Sequence, residues 1–140
     1  QEQGEELKLN INNFIKKEDI NKSQRINNIE ITVNNKKMYR SYETYTITIT
    51  NSSNKTMRLN DGQNSKDICL IDKKDVEYSS LIHEIPMESL VFEPGTQRIL
   101  NIRFNKLYDS EREIEAIKFS NIILDIQDTQ SQNAEIRVEI

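Results

Sequence analysis

Along most of the chain, apolar residues recur at every second position. Tyr45, Ile47 and Ile49 alternate with Thr44, Thr46, Thr48 and Thr50, the two-residue period of a strand with one buried and one wet face. Asn51-Ser52-Ser53-Asn54 follows, residue types that make turns by bonding their own backbone. Ile29, Ile31 and Val33 share another face until "NNKK" breaks the run, and Met57 and Leu59 begin a short strand. Leu100, Ile102 and Phe104 point inward in "RILNIRF", as do Ile136, Val138 and Ile140 in the closing "AEIRVEI".

Four departures from this rhythm carry information. "ICLI", residues 68–71, lacks polar alternates and predicts a strand buried on both faces, with Asp72-Lys73-Lys74-Asp75 as the hairpin turn into Val76 and Tyr78. Glu93-Pro94-Gly95 places Pro and Gly at the centre of a type II turn, where Gly accepts a positive φ. Ile117 and Phe119 are odd-numbered but Ile122, Leu124 and Ile126 are even, so a bulge near Ser120-Asn121 must switch the inward face. Asp109 or Ser110, with Glu113 behind it, is the one place a helix could start, and a short turn before a strand is the expectation there.

Residues 1–25 fit neither period cleanly. Leu7, Leu9 and Ile11 alternate, Leu7, Ile11, Phe14 and Ile15 make a helical stripe, and "KKEDINKSQR" reads as a connector. The division expected is an N-terminal extension or linker over 1–25 and one domain over 26–140. About eight strands with turn signals between them, and two alanines in all, predict an all-β fold: an immunoglobulin-like two-sheet sandwich of antiparallel strands, with a closed barrel as competitor.

Composition narrows the function classes. The chain has 140 residues, 19 basic against 23 acidic, for a net charge of −4; interspersed charge of that balance gives no long-range pull on nucleic acid or anionic lipid. No apolar run approaches the roughly 20 residues of a membrane helix, so no direct membrane insertion is expected. Abundant Ile, Lys and Asn read as codon bias, and the Asn-x-Ser/Thr triplets at Asn21, Asn51 and Asn54 as chance.

Candidate chemistry is sparse. His83 in "LIHEIP" has no second histidine four residues on, and Pro86 opposes a zinc-protease helix. Ser79 and Ser80 lie near it without a Gly-x-Ser-x-Gly elbow. Asp61, Asn64 and Asp67 in "NDGQNSKD" have calcium-loop composition but not its spacing or closing Glu, and Glu111, Glu113 and Glu115 read as a solvated edge. Cys69 sits between apolar neighbours, where a thiol is inert and its pKa raised. These readings predict no catalytic residues, no metal and no cofactor. The best binding candidates are Tyr39, Arg40 and Tyr42, aromatic and cationic side chains of the kind that grip sugars or peptides.

The succession "ETYTITITNSSNKTMRL", "LVFEPGTQRILNIRF" and "IKFSNIILD" resembles the small immunoglobulin-like domains of Firmicute cell-envelope lipoproteins and membrane-anchored proteins over about residues 26–126. There a strand ending in Thr-Asn and small polar residues is followed by a Pro-Gly turn and a strand ending in Phe. The resemblance implies an exported, non-enzymatic domain, extracellular or anchored at the cell surface, serving as a spacer or as a binding module for a protein or glycan of the envelope. The alternative is an accessory domain of a larger membrane-anchored sensor or enzyme.

Overall fold

The computed structural model describes residues 14–59, 64–105, 113–128 and 133–140. Within them lie ten strands: β1 (Phe14–Ile26), β2 (Ile29–Tyr39), β3 (Tyr42–Asn51), β4 (Met57–Arg58), β5 (Ile68–Asp72), β6 (Glu77–Ser79), β7 (Val91–Phe92), β8 (Gln97–Asn105), β9 (Ile114–Ile122) and β10 (Ala134–Glu139). They form one four-stranded sheet in the order β1-β2-β3-β8, a second in the order β10-β9-β5-β6, and a β4-β7 pair. Every ladder is antiparallel. The chain is all-β, and its only helical turns among the described residues are short 3-10 turns at Ser65–Asp67, Ile82–Glu84 and Met87–Leu90.

One apolar cluster joins the two larger sheets, with Ile31, Val33, Tyr45, Ile47, Ile49, Ile102 and Phe104 from the first and Ile68, Leu70, Ile117, Phe119, Ile136 and Val138 from the second. The alternation read from β3 holds at every position: Glu43, Tyr45, Ile47, Ile49 and Asn51 are buried and the threonines between them are half-exposed. β5 is buried throughout. On its outward side, Cys69 stands beside Lys118 of β9 and Ile71 beside Glu77 of β6.

Residues 14–25, expected as a connector, instead make up nearly all of β1. Its charged text concealed an edge strand, because only Ile20 and Ile26 pack against the core and the rest faces solvent. β1 turns into β2 through Asn27-Asn28, with Asn27 at φ 52, a conformation asparagine tolerates. Likewise "NNKK" does not end β2. Between the Val33↔Ile47 and Asn35↔Thr46 pairs one extra residue, Asn34, is inserted, and its amide donates to the Thr48 hydroxyl at 2.6 Å. This bulge turns Asn35, Lys37 and Tyr39 to the threonine side of the sheet and Lys36 to the inner side, over the Tyr45 ring at 5.8 Å.

The bulge anticipated at Ser120-Asn121 is present. Ala134 pairs with Ile122 but Ile136 with Phe119, and Asn121 has φ 59. The Pro-Gly turn has type II features: Thr96 N–H donates to the Glu93 carbonyl at 3.2 Å and Gly95 has φ 78. Fully buried Asn51 ties that turn to β3. Its backbone carbonyl accepts from Gly95 N–H, and its side-chain amide donates to the Lys55 and Phe92 carbonyls, each bond 2.8 Å. The Thr-Asn ending and the Pro-Gly turn are therefore two halves of one hydrogen-bonded corner. The Leu7, Leu9 and Ile11 pattern, Asp61 with Gly62, the Asp109/Ser110 cap and Glu111 lie outside the described residues.

Candidate functional site

The outer face of the first sheet is built row by row from its register. Starting at the β2–β3 turn, Phe14, Tyr39, Tyr42 and Asn105 stand side by side across β1, β2, β3 and β8; the next row is Lys17, Lys37, Thr44 and Arg103. Asp19, Asn35, Thr46 and Asn101 follow, then Ser23, Thr32, Thr48 and Ile99. Within these last two rows Thr46 donates to Asn101 at 2.8 Å and the Ser23 and Thr32 hydroxyls are 2.8 Å apart.

Two of the three residues singled out from sequence meet directly. Tyr39 and Tyr42 stack with centroids 4.5 Å apart and planes 18° from parallel. Phe14 approaches Tyr39 edge-on at 5.8 Å, and the Arg103 guanidinium lies 5.0 Å over the Tyr42 ring. Arg103 Nε donates to Glu84 at 3.1 Å, and a second bond from the same guanidinium completes a bidentate pair. That carboxylate raises the Arg103 pKa further. Arg40, the third candidate, is exposed at the turn and stands outside the stack.

The arrangement changes what the tyrosines offer. Tyr42 is covered on one ring face by Tyr39 and on the other by Arg103, and Tyr39 is flanked by Phe14 and Tyr42, so these are half-buried rungs presenting ring edges. Phe14, Lys17, Lys37 and Arg103 are the parts sequence reading missed. Phe14 and Arg103 are distant in the chain, and Lys37 joins the face only because of the Asn34 bulge.

The other candidates are dispersed. His83 is exposed on the Ile82–Glu84 turn. The Asp67 carboxylate is buried and accepts from the Asn121 amide at 2.7 Å, and Asn64 caps the Ser65–Asp67 turn; that pairing pins the β9 bulge. Cys69 is fully buried, and burial pushes its thiol pKa up. Among the described residues no three His, Cys, Asp or Glu side chains gather in a way that could hold a metal ion, and no helix is long and apolar enough to cross a membrane.

No family model matches the chain, and no curated protein matches it. Among solved structures, a functionally unknown protein from Listeria monocytogenes aligns with TM-score 0.57 at 11% identity, covering 91% of this chain and 86% of that one. A conserved hypothetical protein from Bacillus anthracis aligns with TM-score 0.49 at 14% identity, covering 77% of this chain and 89% of that one. The likeness to the Listeria protein at this identity is one of fold: an all-β architecture shared with a protein from a Firmicute.

Proposed function

We propose that the chain is an immunoglobulin-type two-sheet sandwich acting as a non-enzymatic binding module at a bacterial cell surface, with the outer face of β1-β2-β3-β8 presented to a component of the envelope. Strand order supports the immunoglobulin reading. β2, β3 and β8 occupy the places of strands A, B and E, and β5, β9 and β10 those of C, F and G. β1 is an added edge strand. Among the described residues no ladder joins the two larger sheets, which favours the sandwich over the barrel.

The observation that carries the binding role is the contrast between this face and ordinary sheet surface. Four strands present rows of hydroxyls and amides, and the ring row with its adjoining cations closes one end. Such a flat, hydrogen-bonding surface suits a carbohydrate better than a protein, whose interfaces are anchored by apolar or aromatic side chains buried in pockets. The non-enzymatic reading is supported by the placement of the two side chains best suited to chemistry, His83 on an exposed turn and Cys69 sealed in β5. The test is retention of the full chain on purified Gram-positive cell-wall sacculi. Thr46→Glu with Thr48→Glu should abolish retention, whereas Ser79→Glu on the second sheet should not; equal behaviour of the two variants, or no retention of the wild type, overturns the reading.

A further inference from the structure

We propose that the occupant of this face is an anionic polysaccharide whose carboxylates dock on Lys37 and Arg40 while its hydroxyls meet the threonine and amide rows. The inference rests on the binding role above and names its ligand class.

Charge on this face is compensated unevenly: Arg103 is paired with Glu84 and Arg25 with Glu30, while Lys37 and Arg40 are not paired. Lys17 lies directly opposite Lys37, and like charges directly opposite in a sheet oppose its formation. The relief for this pair is an Asp19 carboxylate 4.0 Å from Lys17. Lys37 and Arg40 make no ion pair among the described residues. The second sheet shows what compensation looks like. There Arg137 is likewise opposite Lys118, but Glu115 and Glu139 lie 3.1 and 2.8 Å from Arg137 and Glu77 lies 3.0 Å from Lys118. On the first sheet, by contrast, Lys37 and Arg40 remain as unpaired cations among the described residues at the turn end of the face, open to an anion. With strands about 4.8 Å apart the row from Lys17 to Arg103 spans roughly 14 Å, room for several sugar units lying across the strands.

Ring geometry selects among anions. Nucleic acid bases bind such surfaces by stacking on aromatic faces, and the faces of Tyr42 are already taken by Tyr39 and Arg103. Beside the exposed Phe14 and Ile99 the face offers hydrogen bonding and charge, the combination a hydroxyl-rich polyanion satisfies. A neutral sugar would leave the cations unused.

The experiment titrates the full chain with three probes: polygalacturonate, dextran and single-stranded oligodeoxythymidylate. Polygalacturonate should bind, at least about tenfold more tightly than dextran or the oligonucleotide, a gap of about 1.4 kcal/mol. Binding should weaken severalfold as salt rises from about 0.05 to about 0.3 M. Lys37→Gln with Arg40→Gln should lower affinity about tenfold and Lys37→Arg with Arg40→Lys should keep it. Arg40→Gln alone, at the exposed turn, provides a variant whose folding is not at issue and should still weaken binding. Preference for the oligonucleotide, equal binding of dextran, or indifference to the glutamine variants overturns the inference. If the chain is retained on sacculi in a Thr46- and Thr48-dependent way yet ignores polygalacturonate, the anionic ligand falls and the binding face stands.

Discussion

The two larger sheets share one core but finish their outer faces in opposite ways. On the second sheet, Cys69 and Ile71 are buried beside side chains tied into ion pairs, Lys118 with Glu77 and Arg137 with Glu115 and Glu139. Long charged residues of this kind cover apolar surface with their stems while their heads satisfy one another. On the first sheet the middle of the outer face carries short threonines and asparagines, Ile99 stands 61% exposed, and Lys37 and Arg40 lack ion pairs among the described residues. One face is finished by its own chain. The other is finished only in part, with Lys37 and Arg40 unpaired and Ile99 uncovered, and that difference locates the candidate surface more firmly than any single residue does.

The largest test compares isoleucines on the two faces. Ile71→Ala removes a side chain that is 4% exposed and should cost about 2 to 4 kcal/mol. Ile99→Ala, on the open face, should stay within about 0.5 kcal/mol. Urea denaturation measures both; similar costs would erase the contrast. Next in size, Tyr42→Ala removes a ring gripped by Tyr39 and Arg103 and should cost about 1 to 2 kcal/mol. A cost near zero would mean the stack does not persist in solution, freeing the ring faces for a ligand.

A smaller effect separates the faces by pH. Asp72, at the end of β5, accepts from Val76 N–H at 2.9 Å, the Tyr78 hydroxyl at 2.8 Å and Lys74 N–H at 2.8 Å. The Val76 bond does most to hold its carboxyl below the ordinary value of 3.8, with the Tyr78 hydroxyl and Lys74 N–H adding to it against partial burial. A depressed folded pKa contributes stability that is fully present above the unfolded value and is lost as pH falls through the folded one. Stability should therefore decline below about pH 4, and Asp72→Asn should flatten that decline; an unchanged acid limb would remove the carboxylate from the account. Finally, Cys69 should react slowly with a thiol reagent in the native state and fast in denaturant, because the ion-paired cover must open first. Arg137→Gln should change stability by less than about 1 kcal/mol yet speed that labelling, and failure to do so would show that the cover is not what protects the thiol.

Much of the fold was written where apolar residues mark both sides of a strand. β3, β8 and β10 could be read from their two-residue period, and the β9 bulge because Phe119 and Ile122 disagree in parity. The Pro-Gly turn was legible because few residues accept its backbone. β1 was hidden, since a solvent-facing edge strand has no apolar alternation to betray it, and the β2 bulge was hidden because Asn34, Asn35, Lys36 and Lys37 include no apolar residue whose parity could shift. The aromatic and cationic character of Tyr39, Arg40 and Tyr42 was visible from sequence, but closure of the ring faces was not. It depends on Phe14 and Arg103, brought beside the tyrosines only by strand pairing.

Asn34 acts on the hairpin as a single inserted letter acts on a reading frame. Upstream, Ile29, Ile31 and Val33 are read into the core; downstream, the phase has moved by one, so Lys37 and Tyr39 are read out to solvent while Lys36 and Met38 are read in. Were the bulge lost at constant length, the phase of Ile29 to Val33 would run through to the turn, swinging Lys36 and Met38 outward and forcing Lys37 and Tyr39 toward Glu43 and Phe104, whereas deleting Asn34 itself would leave a regular ladder with the present pairs and the present outward face. Homologous hairpins one residue shorter at this point should accordingly present the same outward face, because the missing residue and the missing bulge cancel.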